Sequence, residues 1–99
     1  MIYVLPYPSA VPTKYREAVK RRTAGRGIVT ATRLAVDMYV YPPKTQPNAL
    51  LMTIQRQVME AIRHAGLLPA GSRIDRLWIV RMVSMNRGMV HLVIREAQP

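Results

Sequence analysis

Residues 47–66 read PNALLMTIQRQVMEAIRHAG, and they decide how the rest of the chain is laid out. Leu51, Ile54, Val58, Ile62 and Ala65 fall on one face at 3.6 residues per turn. The spacing predicts a helix from about Asn48 to Ala65, with Gly66 as the residue just past its end. A helix with one apolar face must bury that face against a sheet or another helix.

Both flanks supply strands. Upstream, Thr32–Tyr41 alternates: Leu34, Val36, Met38 and Val40 form one face, and Ala35, Asp37, Tyr39 and Tyr41 the other. Pro42 and Pro43 close it. Downstream, DRLWIVRMV (75–83) and GMVHLVIRE (88–96) read as two strands joined by a turn around MNRG (85–88). In the last strand Val90, Leu92 and Ile94 face one way and His91, Val93 and Arg95 the other. At the start of the chain, IYVL (2–5) is a short apolar strand stopped by Pro6 and Pro8. TKYREAVKRRTAGRG (13–27) reads as a helix. Thr13 is its expected N-cap, Tyr15, Ala18, Val19 and Arg22 fall at helical spacing, and Gly25 and Gly27 end it. The expected order is β-α-β-α-β-β: an α+β fold in one domain over residues 1–99, with both helices on one side of a small mixed sheet.

Ninety-nine residues, 49% of them apolar, suit one globular core. No apolar run reaches the roughly 18 residues of a membrane span. The start MIYVLPYPSA lacks a basic leader and a long apolar stretch, so no secretory signal is expected. Cysteine is absent, which excludes disulfides and thiol–zinc sites. A soluble cytoplasmic protein without a membrane partner is expected.

Fifteen Lys and Arg stand against five Asp and Glu, a net charge of +10. Such an excess attracts polyanions, nucleic-acid phosphates above all. Arginine outnumbers lysine twelve to three, and its planar fork suits bidentate phosphate contact. Lys14, Arg16, Lys20, Arg21, Arg22 and Arg26 crowd the first helix and its exit, where a solvated helix face is the plainer explanation. Lys44, Arg56 and Arg63 extend the candidate DNA-binding set. Tyr7, Tyr39, Tyr41 and Trp78 could stack on unpaired bases or simply pack.

The remaining chemistry is sparse. His64 and His91 are not at ligand spacing, Ser9, Ser72 and Ser84 have no nucleophile context, and Gly25–Gly27 is too short to cradle phosphate. Asp37 and Asp75 lie where a sheet could make them neighbours, either as a weak cation site or paired with arginines. Glu60 sits at helical spacing from Arg56, Arg63 and His64.

LPYPS (5–9), YREAV (15–19), VYPP (40–43), AIRHAGL (61–67) and SRIDRLWIVR (72–81), in that order, resemble the RusA family of Holliday-junction resolvases. The likeness is strongest from about Ala35 to Glu96. It implies a RusA-like fold and a phage-derived homodimer that binds four-way DNA junctions and cuts them with magnesium held by aspartates. The family's aspartate positions at the start of the second helix fall on Leu50 and Met52, and its Asn position on Thr53. Its Lys position falls on Arg56, and the later acidic pair falls on Ala70 and Gly71. Its arginine run before the helix is reduced to Lys44 in KTQPNA, and its long basic loop to AVPTK (10–14). No acid occurs between Asp37 and Glu60, so no shift of register restores the ligands. With no metal site, no catalytic residue and no resident cofactor are expected.

Three readings follow. One is an inactive resolvase relative that binds DNA, branched DNA included. Another is a protein-binding module, such as an inhibitor of a host factor, using Leu50, Met52 and Met59 in place of the lost acids. The third is a residual metal-dependent nuclease with relocated ligands, Asp37 and Asp75.

Overall fold

A computed structural model describes residues 1–27 and 29–97; Ile28, Gln98 and Pro99 of the expected 1–99 domain lie outside the described residues. The elements are β1 (Ile2–Pro6), α1 (Pro12–Thr23), β2 (Arg33–Tyr41), α2 (Leu51–His64), β3 (Arg73–Arg81) and β4 (Met89–Glu96). This is a small α+β fold with the order β-α-β-α-β-β and a four-stranded mixed sheet.

The sheet runs β1-β4-β2-β3, with β2 parallel to β3 and antiparallel to β4, and β1 antiparallel to β4. Leu34, Val36, Met38 and Val40 of β2 are fully buried, as are Val90, Leu92 and Ile94 of β4. They meet Tyr15 and Val19 of α1 and Ile54, Val58, Ala61 and Ile62 of α2 in one core. Both helices thus cover the same face. The two apolar phases of 2 and 3.6 residues meet there, which is the sequence pattern made physical.

The structure corrects several details. Thr13 does not cap α1: the helix begins at Pro12, its N-cap is Val11, and no side chain caps it. Proline fits the first helical position because that N–H has no helical partner anyway. At the far end Thr23, not Arg22, is buried, its hydroxyl donating to the Val19 carbonyl at 2.9 Å. α2 starts at Leu51 instead of Asn48, and its N-cap is Leu50. Ala61 is buried while Leu51 and Ala65 are half-buried, so the buried stripe centres on Ile54, Val58, Ala61 and Ile62. Gly66 has φ +76, the left-handed conformation expected after a helix end.

The segment after β3 is not a hairpin turn. β4 passes to the other side of β2 and inserts between β2 and β1. The link crosses the end of β2, where the Met85 N–H donates to the Pro42 carbonyl at 2.9 Å and the Lys44 N–H to the Met85 carbonyl at 3.0 Å. Between β2 and β3 the register slips by one at Leu34/Ala35, leaving Asp75 as the extra residue.

Candidate nucleic-acid interface and the start of helix α2

The approach to α2 is held by Arg81 at the end of β3. Its guanidinium donates to the Pro47 carbonyl at 2.9 Å and to the Ala49 carbonyl at 2.8 Å. Leu50 then takes an extended conformation (φ −72, ψ 120) with no side-chain hydrogen bond to the open N–H groups of the first turn. Leu50 and Met52 are each 72% exposed. Met59 is half-buried against the core and forms only the edge of this surface. Val83 and Met85, in the link that crosses β2, are further exposed hydrocarbon. The sequence pattern hides these two, because Val83 reads as the last residue of the strand, which ends at Arg81, and Met85 as part of a turn.

These positions do not fit a magnesium ion. Leu50 and Met52 offer no oxygen, and Gly71 lies past the opposite end of α2. Fourteen helical residues separate the two ends, about 21 Å at the helical rise. Thr53 sits beside Leu50 in a cleft, and Arg56 lies one turn further on. Among the described residues no three His, Cys, Asp or Glu side chains gather as a metal site.

Four of the five acids lie within 4 Å of a cationic side chain or His. Asp75 accepts from Arg33 at 2.6 Å and from Arg73 at 2.8 Å. Those hydrogen bonds, Arg33 first, hold its carboxyl below the usual aspartate range. Asp37 accepts from Arg95 at 2.9 Å, with Arg76 at 3.9 Å. Glu60 pairs with Arg16 at 3.5 Å, and Glu17 lies 3.9 Å from His64. Asp37 and Asp75 are therefore each engaged with two arginines of their own. His91 stacks at a tilt on Tyr41, ring centroids 5.2 Å apart.

The basic residues divide into occupied and open ones. Arg26 donates to the Ile2 carbonyl at 2.9 Å and lies 5.6 Å above the Tyr3 ring, so it fastens the α1 exit to β1. Lys14, Lys20, Arg21, Arg22, Lys44, Arg56 and Arg63 are exposed and within 4 Å of no carboxylate among the described residues. Six of them sit on the two helices; Lys44 lies in the β2–α2 loop. On α2, Met52, Arg56, Met59 and Arg63 form one stripe at i, i+4, i+7 and i+11.

The apolar start of α2 has a stability consequence. Leu50→Asp would place a capping oxygen where none exists, and Met52→Asp would add a negative charge to the positive end of the helix dipole. The first is expected to stabilise by about 1 kcal/mol and the second by roughly 0.3–1 kcal/mol. In metal-free buffer the double variant should melt about 4–8 °C higher per kcal/mol gained. A lower melting temperature would show that these side chains make contacts the fold depends on.

No protein-family model matches this chain, and no curated protein matches it.

Proposed function

We propose that this protein binds DNA, branched DNA included, through the arginine-bearing surface of its two helices, and does not hydrolyse it. The observation that carries this reading is the division of charge. Four of the five acids are paired with Arg or His, while six cations on α1 and α2 have no such partner among the described residues. Uncompensated arginines on packed helices are suited to phosphates. The resemblance to RusA resolvases supports branched DNA as the substrate class and a phage-derived protein acting in the host cytoplasm. The hydrocarbon at Leu50 and Met52 supports the loss of cleavage. Among the described residues no helix is long and apolar enough to cross a membrane.

The test is a titration of four-way junction, duplex and single-stranded DNA over a salt series, with magnesium and manganese added in parallel. Binding that weakens steeply with salt and leaves the DNA intact supports the reading. Metal-dependent nicks would overturn its second half.

A homodimer belongs to the same reading. Among the described residues no helix covers the sheet face opposite α1 and α2. By register, Ile2, Val93, Asp37 and Trp78 form one row across it, and Val4, His91, Tyr39 and Val80 the next. Ile2 is 61% and Trp78 59% exposed. Asp37 lies between Arg95 and Arg76 there and offsets one of their two charges, which lowers the repulsion between two copies of net charge +10 meeting on this face. Trp78→Lys should turn a dimer into monomers in light scattering and leave the melting of the monomer unchanged. A monomeric wild-type protein would remove this part of the reading.

A second reading, docking to a host protein, is favoured by the exposure of Leu50 and Met52 at a rigidly held helix start. It predicts that Met52→Ser, a neutral change at a residue that lines neither neighbouring cleft, loses a partner while keeping its affinity for DNA.

A further inference from the structure

Two clefts on the helical side of the molecule adjoin. The first, about 340 Å³, lies between the Tyr7–Ala10 loop and the first turns of α2. The second, about 290 Å³, lies between α1 and α2. Thr53 and Gln57 line both, so the two lie side by side as the halves of one trough-like surface.

The halves of this trough differ in chemistry. The first carries no charged side chain: its polar groups are the Gln46 and Gln57 amides and the Tyr7, Ser9 and Thr53 hydroxyls, set among Ala49, Leu50 and Ile54. Gln57 uses one N–H on the Ser9 carbonyl at 3.2 Å, which leaves its amide oxygen and a second N–H to a ligand. The second half contains Arg16, Arg56 and Glu60. Arg16 is engaged with Glu60, whereas Arg56 is within 4 Å of no carboxylate among the described residues. A single cation therefore stands about one helical turn, roughly 5 Å, from an uncharged hydrogen-bonding cleft.

We infer that this trough holds one unpaired nucleotide of a DNA strand, its base in the neutral half and its phosphate on Arg56. A base is flat and uncharged and carries donors and acceptors on its edge, which glutamine amides match in pairs. Apolar walls accept its faces, and base stacking on protein side chains tolerates any sequence. A charged or purely aliphatic ligand would leave the amides or Arg56 unused. Paired bases in a duplex cannot enter, so the trough favours strands with an unstacked base, as found at branch points and gaps. This rests on the DNA-binding reading and narrows it to a site.

The experiment uses three oligonucleotides on the full chain: a gapped duplex with one unpaired 2-aminopurine, the same duplex with an abasic site there, and a continuous duplex. The expected result is a change in 2-aminopurine fluorescence on binding and about tenfold weaker binding of the abasic DNA. Gln46→Ala and Gln57→Ala should each erode that difference while leaving continuous-duplex affinity unchanged. Gln46 is included because Gln57 also tethers the Ser9 loop. Arg56→Ala should weaken all three. Equal affinity for the base-containing and abasic strands, with unchanged fluorescence, would overturn the trough while DNA binding itself stands. Failure to bind any of the three would overturn both.

Discussion

Gly88→Ala lowers the melting temperature by an expected 10–30 °C or so, the largest loss expected from Gly→Ala at any of the five glycines. Gly88 has φ +69, and a Cβ there would lie 2.8 Å from the Tyr41 carbonyl oxygen and 2.9 Å from both Cδ and N of Pro43. The left-handed conformation costs an L-residue about 1–2 kcal/mol. Forcing backbone atoms apart in a packed crossing costs roughly 1–3 kcal/mol more. Against a total stability of about 5–15 kcal/mol, this is a large share. The reason is topological: the link carries the chain over the end of β2 so that β4 can insert beside it, and Gly88 is where the two backbones touch. Gly25→Ala separates the two contributions. Its φ is +76, but nothing lies within 4 Å of the added carbon, so only the conformational cost of about 1–2 kcal/mol remains. Thermal melts of both variants by circular dichroism measure the difference. Equal shifts would mean that the link moves away from Tyr41 and Pro43 at little cost.

That crossing also marks where the sequence stops being informative about the fold. Leu34, Val36, Met38 and Val40 announce β2 because burial on one face of a strand imposes a period of two. Ile54, Val58 and Ile62 announce α2 in the same way. Strand order carries no such local signature. MNRG is as compatible with a tight hairpin as with a link passing over β2, and only the long-range bonds of Met85 to Pro42 and Lys44 distinguish them. Helix starts blur for a related reason. Asn48 can cap a helix, but Arg81 draws the Pro47 and Ala49 carbonyls outward, so the first turn is delayed to Leu51.

The candidate site divides along the same line. The exposure of Met52 follows from its angle of about 100° to Leu51 around the helix. The pairing of each aspartate with arginines was open in the sequence, since either acid could face the other across the sheet; the slip at Leu34/Ala35 moves Asp75 out of line and gives it to Arg33 and Arg73. The neutral trough had no sequence signal, because residues 7–10 and 46–57 come together only through packing of β1 and α2 around one core.

Arg56→Ala/Arg63→Ala should weaken DNA binding by roughly 100-fold or more at low salt, since each hydrogen bond to a charged group contributes about 1.5–3 kcal/mol. The wild-type protein presents six cations on its helices with no carboxylate within 4 Å among the described residues: Lys14, Lys20, Arg21, Arg22, Arg56 and Arg63. If all six reach phosphates, log affinity falls with log salt at a slope of about −5, a loss of roughly 1,000-fold between 50 and 200 mM. The double variant should reduce the magnitude of that slope by about 2. Both side chains are exposed, so thermal stability should change by no more than about 0.5 kcal/mol. Arg33→Ala and Arg76→Ala remove the same charge from the sheet side, where Asp75 and Asp37 each sit between two arginines and offset half of their charge. A cation facing its own carboxylate displaces few counterions from DNA, so these two variants should retain wild-type slope and affinity. Fluorescence anisotropy at four salt concentrations decides the matter. An unchanged slope in Arg56→Ala/Arg63→Ala, or a reduced one in Arg33→Ala, would place the DNA on the sheet and take the helices out of the interface.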